Sequence, residues 1–411
     1  MIEVNRFTLP NGLRVVHNYD GATAMVAVDV LYGVGARNES PELTGLAHLF
    51  EHLMFGGSVN IPDFDAAIER AGGKNNAWTS NDFTNFYDVV PAQNAETAFW
   101  LESDRMLGLA FSDKALEVQR SVVTEEFKQQ CLNRPYGDEN HYLRRLVYNV
   151  HPYQWPVIGK TPEHIAKVTQ NDVRDFFYRH YGPDNAILSV SGNITFDRVK
   201  ELAEKWFGPI PAIGFTRPML PVEPEQTAPR MTEATGRIPA TDIVMAYRMD
   251  GYGTEQYFAA DLITDLLSNG QSSRFYRNLL IETDLFSSVD ASIVGSEDPG
   301  MLLVMGRLAN EGPDTEKAAV AAINSEIKKL IDGDMTDFEL TRAVNRMESA
   351  HMFDNLNYLS KAQNLALAEY HGEKLGDNIA RCRALDRAAV ASHAAEIFNP
   401  DHLSTLIYRP A

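Results

Sequence analysis

The chain is organised around one stretch, Gly45-Leu46-Ala47-His48-Leu49-Phe50-Glu51-His52-Leu53-Met54-Phe55. Neither Pro nor Gly interrupts residues 46–55, and two glycines follow directly, so the stretch predicts a helix that ends there. At 3.6 residues per turn, His48 and His52 lie on one face of this helix, one turn apart, and Glu51 lies beside them. The most chemically distinctive side chains of the stretch are therefore expected on a single helical face.

Two imidazoles at this spacing suit a Zn²⁺ ion, and a neighbouring carboxylate suits general-base work. The pattern H-x-x-E-H is the inverted form of the H-E-x-x-H zinc-protease motif. The alternative is a pair of ordinary surface histidines. With 11 His in 411 residues, such a pattern arises by chance in roughly one chain in a hundred. A zinc site also needs a third protein ligand from outside the helix.

The composition is that of an ordinary globular protein. A chain of 411 residues, 44% hydrophobic and 23% charged, is expected to form two domains of about 200 residues. No apolar run is long enough to span a bilayer. Cys131 and Cys382 lie too far apart in sequence to suggest a disulfide framework or a thiolate metal site. Residues 1–6 lack the plan of a signal peptide, so the predicted compartment is the cytoplasm, or the periplasm if a signal has been trimmed.

The net charge of −19 argues against nucleic-acid partners and against anionic membrane surfaces. It would favour cationic peptides if the acidic residues line a cavity. A generally acidic surface is the simpler explanation for most of the charge.

The order of predicted elements occurs twice, which predicts two similar α+β domains, each a mainly antiparallel sheet flanked by helices. We assign residues 1–208 to the first domain and residues 236–411 to the second, which has no H-x-x-E-H. The proline-rich residues between them, 209–235, are predicted to be a linker. In the first domain, residues 75–80 and 83–91 are rich in Thr and aromatic side chains and predict a β-hairpin.

One predicted helix carries three candidates for the third ligand: Glu117, Glu125 and Glu126. The last two point about 100° apart around the helix, so only one of them can face a metal ion. Val118, Val122 and Glu125 follow the spacing i, i+4, i+7 and share a face. A carboxylate on a buried face needs a partner, and a dication would supply one. This pattern favours Glu125 and leaves Glu126 as the alternative.

Four segments in order form a distinctive series: H-x-x-E-H, Asn-Ala-x-Thr at 76–79, Arg-x-Val-Val-x-Glu-Glu at 120–126, and His-Pro-Tyr followed by Pro-Val-Ile-Gly at 151–159. The series resembles the pitrilysin-type metallopeptidases, also called inverzincins. The resemblance implies one Zn²⁺ per chain, held by His48, His52 and Glu125. It also implies a zinc-dependent endopeptidase in which Glu51 is the general base on zinc-bound water.

The resemblance implies further roles. Glu117 falls where an acidic residue could support a ligating histidine from behind. Asn76 and Ala77 match a substrate-binding edge strand, to which an extended, unfolded peptide could add by backbone pairing. The alternative for this hairpin is an ordinary protected sheet edge.

Members of this family usually fold as a clamshell of two such halves around a chamber, and a chain of this length corresponds to one half. Active members also need an Arg and a Tyr that hold the substrate carbonyl, and Leu280 and Ser287 stand at those positions here. We therefore expect a heterodimer with a non-identical half-size homologous subunit that supplies the Arg/Tyr clamp, and a homodimer is the alternative. The competing interpretation is a non-catalytic, structural member of the same fold.

Overall fold

The computed structural model describes residues 2–411, which form two sheets and fourteen α-helices. The first sheet holds strands β1 to β6 and the second holds β7 to β11. The strands are β1 Asn5–Thr8, β2 Arg14–Tyr19, β3 Met25–Tyr32, β4 Lys74–Thr79, β5 Thr84–Pro91, β6 Ala186–Gly192, β7 Arg230–Gly236, β8 Asp242–Arg248, β9 Phe286–Val294, β10 Met301–Leu308 and β11 Leu403–Pro410.

The α-helices lie between the strands along the chain and pack against both sheets, so each sheet is flanked by helices. Two short π-helical segments, Lys128–Leu132 and Phe275–Ile281, add to them. The helices are α1 Leu46–Leu53, α2 Phe64–Arg70, α3 Ala95–Leu107, α4 Asp113–Phe127, α5 Glu139–Val147, α6 Pro162–Lys167, α7 Gln170–His180, α8 Phe196–Trp206, α9 Glu255–Ser268, α10 Pro313–Ile331, α11 Asp337–Asp354, α12 Tyr358–His371, α13 Asp377–Ala384 and α14 Arg387–Ile397.

The first sheet has the order β1-β2-β6-β3-β5-β4, and only its β2–β6 pair is parallel. The predicted hairpin is confirmed as β4 and β5, with Ala77 opposite Phe86. β3 is buried almost throughout, because both of its faces are covered. On one face, β3 and β5 pack against helices α1, α2, α3, α7 and α8 in a single apolar core.

The second sheet has the order β7-β11-β8-β10-β9, and only β7–β11 is parallel. The fold class predicted from the sequence, α+β with mainly antiparallel sheets, is therefore confirmed. The predicted linker extends too far at its end: residues 230–235, assigned to it, form most of β7. Their exposed side chains alternate with partly buried or buried ones, as expected for an edge strand. Pairing with β11 stabilises this strand, and the local sequence does not reveal that pairing.

Each compact unit contains one helical segment from the other half of the sequence. The first unit comprises residues up to Lys128, Trp155–Leu220 and His351–Leu375, and the second holds the remainder. Helix α12 thus covers the second face of the first sheet, where the Ser189 hydroxyl donates to the Ala362 carbonyl (2.6 Å). Helix α5 does the same for the second sheet. The compact units therefore depart from the predicted boundaries at 208 and 236.

Asp29 is a buried carboxyl at the centre of β3. Burial raises its pKa to about 8, although Asn85 Nδ2 donates to it (2.7 Å). The folded state then holds a proton that the unfolded state releases above about pH 4, so the free energy of unfolding falls as the pH rises from about 4 to 8 and levels off above 8. The protonated Asp29 carboxyl thus contributes at most a few kcal/mol to the free energy of unfolding at low pH. Asn cannot be titrated, so Asp29→Asn lacks this pH-dependent contribution.

We therefore expect the stability of Asp29→Asn relative to the parent protein to increase between pH 5 and pH 8.5. Urea unfolding at both pH values measures the difference. Parallel pH profiles of the two proteins would contradict the raised pKa.

Candidate metal centre

Helix α1 begins after Gly45, whose φ of +84° places it in the left-handed region that favours glycine. The helix predicted over residues 46–55 is confirmed, and it ends two residues earlier than predicted. Its apolar side chains are buried in the first unit, whereas His48, Glu51 and His52 are partly exposed on the other side. The buried residues are Leu46, Ala47, Leu49, Phe50 and Leu53.

Helix α4 lies against α1 and carries the predicted third ligand. Its buried face is formed by Leu116, Val123 and Phe127, whereas Val118 and Val122 are exposed. The prediction that Val118 and Val122 lie on the buried face of α4 was therefore wrong. The glutamate that can act as the third ligand changes as a result.

Glu126, not Glu125, faces the two histidines. Its Oε2 lies 3.3 Å from His52 Nε2 and 3.7 Å from His48 Nε2. The Glu125 side chain is 62% exposed and pairs with Lys128 at 2.5 Å. The prediction of Glu125 as a ligand is therefore corrected by the geometry of the helix, and the alternative, Glu126, occupies the position.

The three side chains offer donor atoms at spacings that fit a zinc ion. One atom each from His48, His52 and Glu126 lies within 4.8 Å of the others. Ligand atoms roughly 2.0–2.2 Å from a tetrahedral Zn²⁺ lie about 3.4 Å from one another, and the two nitrogen–oxygen distances bracket that value. Two imidazole nitrogens and one carboxylate oxygen are also the donor types that zinc prefers.

The electrostatic surroundings favour ligation by neutral imidazole. Burial and the neighbouring His52 ring lower the pKa of His48 to about 4, so its ring is uncharged at neutral pH and keeps a nitrogen lone pair. Burial raises the pKa of the Glu51 carboxyl, against the opposing effects of the Thr79 hydrogen bond and of His52. A raised pKa brings a carboxylate closer to the range in which it can take up a proton during a reaction.

Glu51, the predicted base, is hydrogen-bonded to the edge strand of the first sheet. The Thr79 hydroxyl, at the end of β4, donates to Glu51 Oε2 at 2.7 Å. β4 is the last strand of the first sheet, and within it the Ala77 N–H donates to Asn76 Oδ1 (2.9 Å). The two predicted substrate-binding residues therefore lie on an edge strand whose end contacts the predicted base.

Glu117 is not brought to the histidines. It is exposed, and it lies nine residues before Glu126, which is about 180° around an α-helix. The prediction that Glu117 supports a ligating histidine is therefore wrong, because the turn of the helix directs it to the opposite side of α4.

The stretch expected to carry an Arg/Tyr clamp lies in the second unit. Leu280 packs against the core of that unit, and the Ser287 hydroxyl donates to backbone carbonyls of β10 at 3.4 Å. The nearby Arg274 is buried and pairs with Glu339 (3.1 Å). Its guanidinium group is therefore already engaged within the unit.

Comparison with known proteins gives the chain a family. The signature described as insulinase (peptidase family M16) matches residues 14–149, and that described as peptidase M16 inactive domain matches residues 167–347. The uncharacterized zinc protease ML0855 of Mycobacterium leprae is 30% identical over 316 residues, which cover 73% of this chain and 68% of that protein. The chain belongs to peptidase family M16. The resemblance to pitrilysin-type metallopeptidases is thereby confirmed.

Solved M16 structures extend the likeness to the whole chain. The crystal structure of a protease from Helicobacter pylori superimposes with a TM-score of 0.91 at 26% identity, over 100% of both chains. The periplasmic protease PqqL of Escherichia coli shares the fold at 18% identity, with a TM-score of 0.79 over 98% of this chain and 47% of its own. The M16 fold of this chain thus occurs both at this length and as half of a longer chain.

Sequence reasoning named the histidines and the base but assigned no role to Thr79, although it belongs to the Asn-Ala-x-Thr segment already singled out. The position of the buried face of α4 would have identified Glu126 as the residue facing the histidines. The four valines and leucines of this helix lie on two sides of it, so the sequence did not show which side is buried.

Within residues 2–411, no helix combines the length and apolar character needed to cross a membrane.

Proposed function

We propose that this chain is the zinc-holding subunit of a peptidase that hydrolyses unfolded peptides. The observation that carries the proposal is the convergence of His48, His52 and Glu126 at zinc-ligand spacing, with Glu51 beside them on α1. A zinc ion held there would polarise the peptide carbonyl and lower the pKa of a water molecule from about 15.7 towards 7.

Glu51 is the general base in this proposal. Its carboxylate accepts a proton from the attacking water and delivers it to the leaving amine nitrogen. The Thr79 hydroxyl, which donates to Oε2, fixes the orientation of the carboxylate and leaves the other oxygen, Oε1, for the proton. Burial of the group strengthens these interactions, because the local dielectric constant is lower than that of water.

The substrate adds as an extended strand along β4. Asn76 and Ala77 lie on this edge strand, and backbone pairing there would place a peptide bond near Glu51 without strict sequence selection. A folded protein cannot offer such a free strand, so unfolded peptides are the substrate class that this edge supports.

The proposed partner is a non-identical M16 chain of similar length. Leu280 cannot donate a hydrogen bond to a developing oxyanion, and Arg274 is engaged by Glu339. An Arg/Tyr clamp would therefore come from the partner. The inactive-domain signature matches only residues 167–347. His48, His52 and Glu126 lie outside that match, so it does not count against a metal centre at these residues.

The test is to purify the chain with and without an M16 partner that carries the Arg and Tyr. Bound zinc is measured by elemental analysis, and cleavage with a quenched fluorogenic unstructured peptide. We expect one zinc per chain and cleavage only in the mixture. Full activity of the chain alone would remove the partner from the proposal, and a chain without zinc in both preparations would favour the structural, non-catalytic alternative.

A further inference from the structure

The first turn of α1 is capped by a distant side chain. Gly45 at the N-cap has no side chain of its own to offer. The Glu39 carboxylate takes that place, since Gly45 N–H donates to Oε2 and Ala47 N–H to Oε1, both at 2.8 Å. Glu39 is only 7% exposed, so water does not compete for these two N–H groups, which would otherwise lack an intrahelical partner.

The segment before α1 is itself fixed to the turn between β4 and β5. The Ala36 N–H donates to the Ser80 carbonyl (3.1 Å). The Arg37 guanidinium pairs with Asp82 at 2.9 Å, and both side chains are buried. Because Glu39 lies only two residues after Arg37, its carboxylate projects from an anchored backbone and joins the β4–β5 turn to the first turn of α1.

This connection acts on the residue next to a candidate ligand. Ala47 directly precedes His48, whose Nε2 lies 3.7 Å from Glu126 Oε2. Ligand distances in metal sites are expected to lie within about 0.2 Å of their standard values, so a small displacement of the first turn would matter. Burial raises the pKa of the Glu39 carboxyl to about 8, and either protonation state offers one oxygen to each N–H group.

We propose that Glu39 is a positioning residue for the metal centre, and that its hydrogen bonds to Gly45 and Ala47 hold α1 where His48 and His52 meet Glu126. The inference rests on the proposed function, because it presumes that this cluster binds zinc. It assigns Glu39 a role that a purely structural helix cap would not have, namely control of metal affinity.

The test is Glu39→Gln in the 411-residue chain. The amide keeps the size of the side chain but directs an NH₂ group at one of the two backbone N–H donors, so one hydrogen bond is lost and two donors face each other. We expect zinc to bind about 10–100-fold more weakly, measured by titrating the metal-free protein against a chromophoric chelator. The visible spectrum of the Co²⁺-substituted protein should shift as well, because ligand geometry changes.

Glu223→Gln is the matched control. Glu223 is also a buried glutamate, 8% exposed, and it accepts the N–H groups of Asn149, Val150 and His151 at 2.7–2.9 Å. It lies in the other compact unit. The same chemical change should lower the melting temperature, as is also expected of Glu39→Gln, yet leave zinc affinity within about twofold of the parent value.

The outcomes separate the two proposals. A parent protein that does not bind zinc contradicts the proposed function itself. A parent that binds zinc while Glu39→Gln binds it equally well overturns the positioning role, as does equal weakening by Glu223→Gln. If Glu39→Gln does not fold, Glu39→Asp replaces it: this variant keeps both acceptor oxygens on a shorter stem, and unchanged zinc affinity in it would also overturn the inference.

Discussion

Glu51→Gln is expected to abolish peptide cleavage and to leave the zinc content unchanged. The amide occupies the same volume and can still accept the Thr79 hydrogen bond, but it cannot take up a proton from water. General-base catalysis contributes about 10²–10⁴-fold, so cleavage in the complete complex should fall by at least about 10²-fold. Initial rates with the fluorogenic peptide and elemental analysis of the same samples provide the two measurements.

The zinc content of Glu51→Gln is the internal control, because a variant that has lost metal would be inactive for another reason. Equal zinc with an unchanged rate would exclude Glu51 as the base. Equal zinc with the expected loss of rate would assign the defect to proton transfer.

Glu126→Gln is expected to lose zinc, whereas Glu125→Gln retains it. The two glutamates are adjacent and undergo the same chemical change, but only Glu126 lies within 4 Å of both imidazoles. Removal of the carboxylate of the proposed ligand set should weaken zinc binding by at least about 10²-fold, which corresponds to about 2.7 kcal/mol. Glu125 is largely exposed and pairs with Lys128, so its replacement should alter stability by less than about 1 kcal/mol.

Competition with a chelator gives both affinities, and thermal unfolding of the metal-free variants shows that each one folds. Zinc loss in Glu125→Gln with retention in Glu126→Gln would reverse the assignment and restore the ligand predicted from the sequence.

The sequence predicted those parts of the candidate site whose structure depends on a single local pattern of residues. The absence of Pro and Gly from residues 46–55 and the i, i+4 spacing of His48 and His52 predict α1 and its polar face, although the glycines after residue 55 place its end two residues too late. The choice between Glu125 and Glu126 was not decided locally, because α4 has apolar residues on two stripes. Val118 and Val122 suggest one buried face and Leu116 and Val123 another, and only packing against α1 selects between them.

The sequence also did not predict that α12 belongs to the first compact unit and α5 to the second. The periodicity of α12 shows that one of its faces is apolar but not which sheet that face covers. Glu39 was missed for a related reason: a glutamate six residues before a glycine N-cap has no sequence signature, and its role appears only when the segment after β3 is folded back onto the helix.

The position of α12 has a consequence for biosynthesis. When the ribosome has completed β6, the nascent chain contains every strand of the first sheet, but the helix that covers Leu31 and Ile187 has yet to be translated. Until residue 371 emerges, that apolar surface faces solvent or a chaperone. A product that stops in the proline-rich segment after residue 208 should therefore aggregate, and synthesis of α12 must precede a stable first sheet.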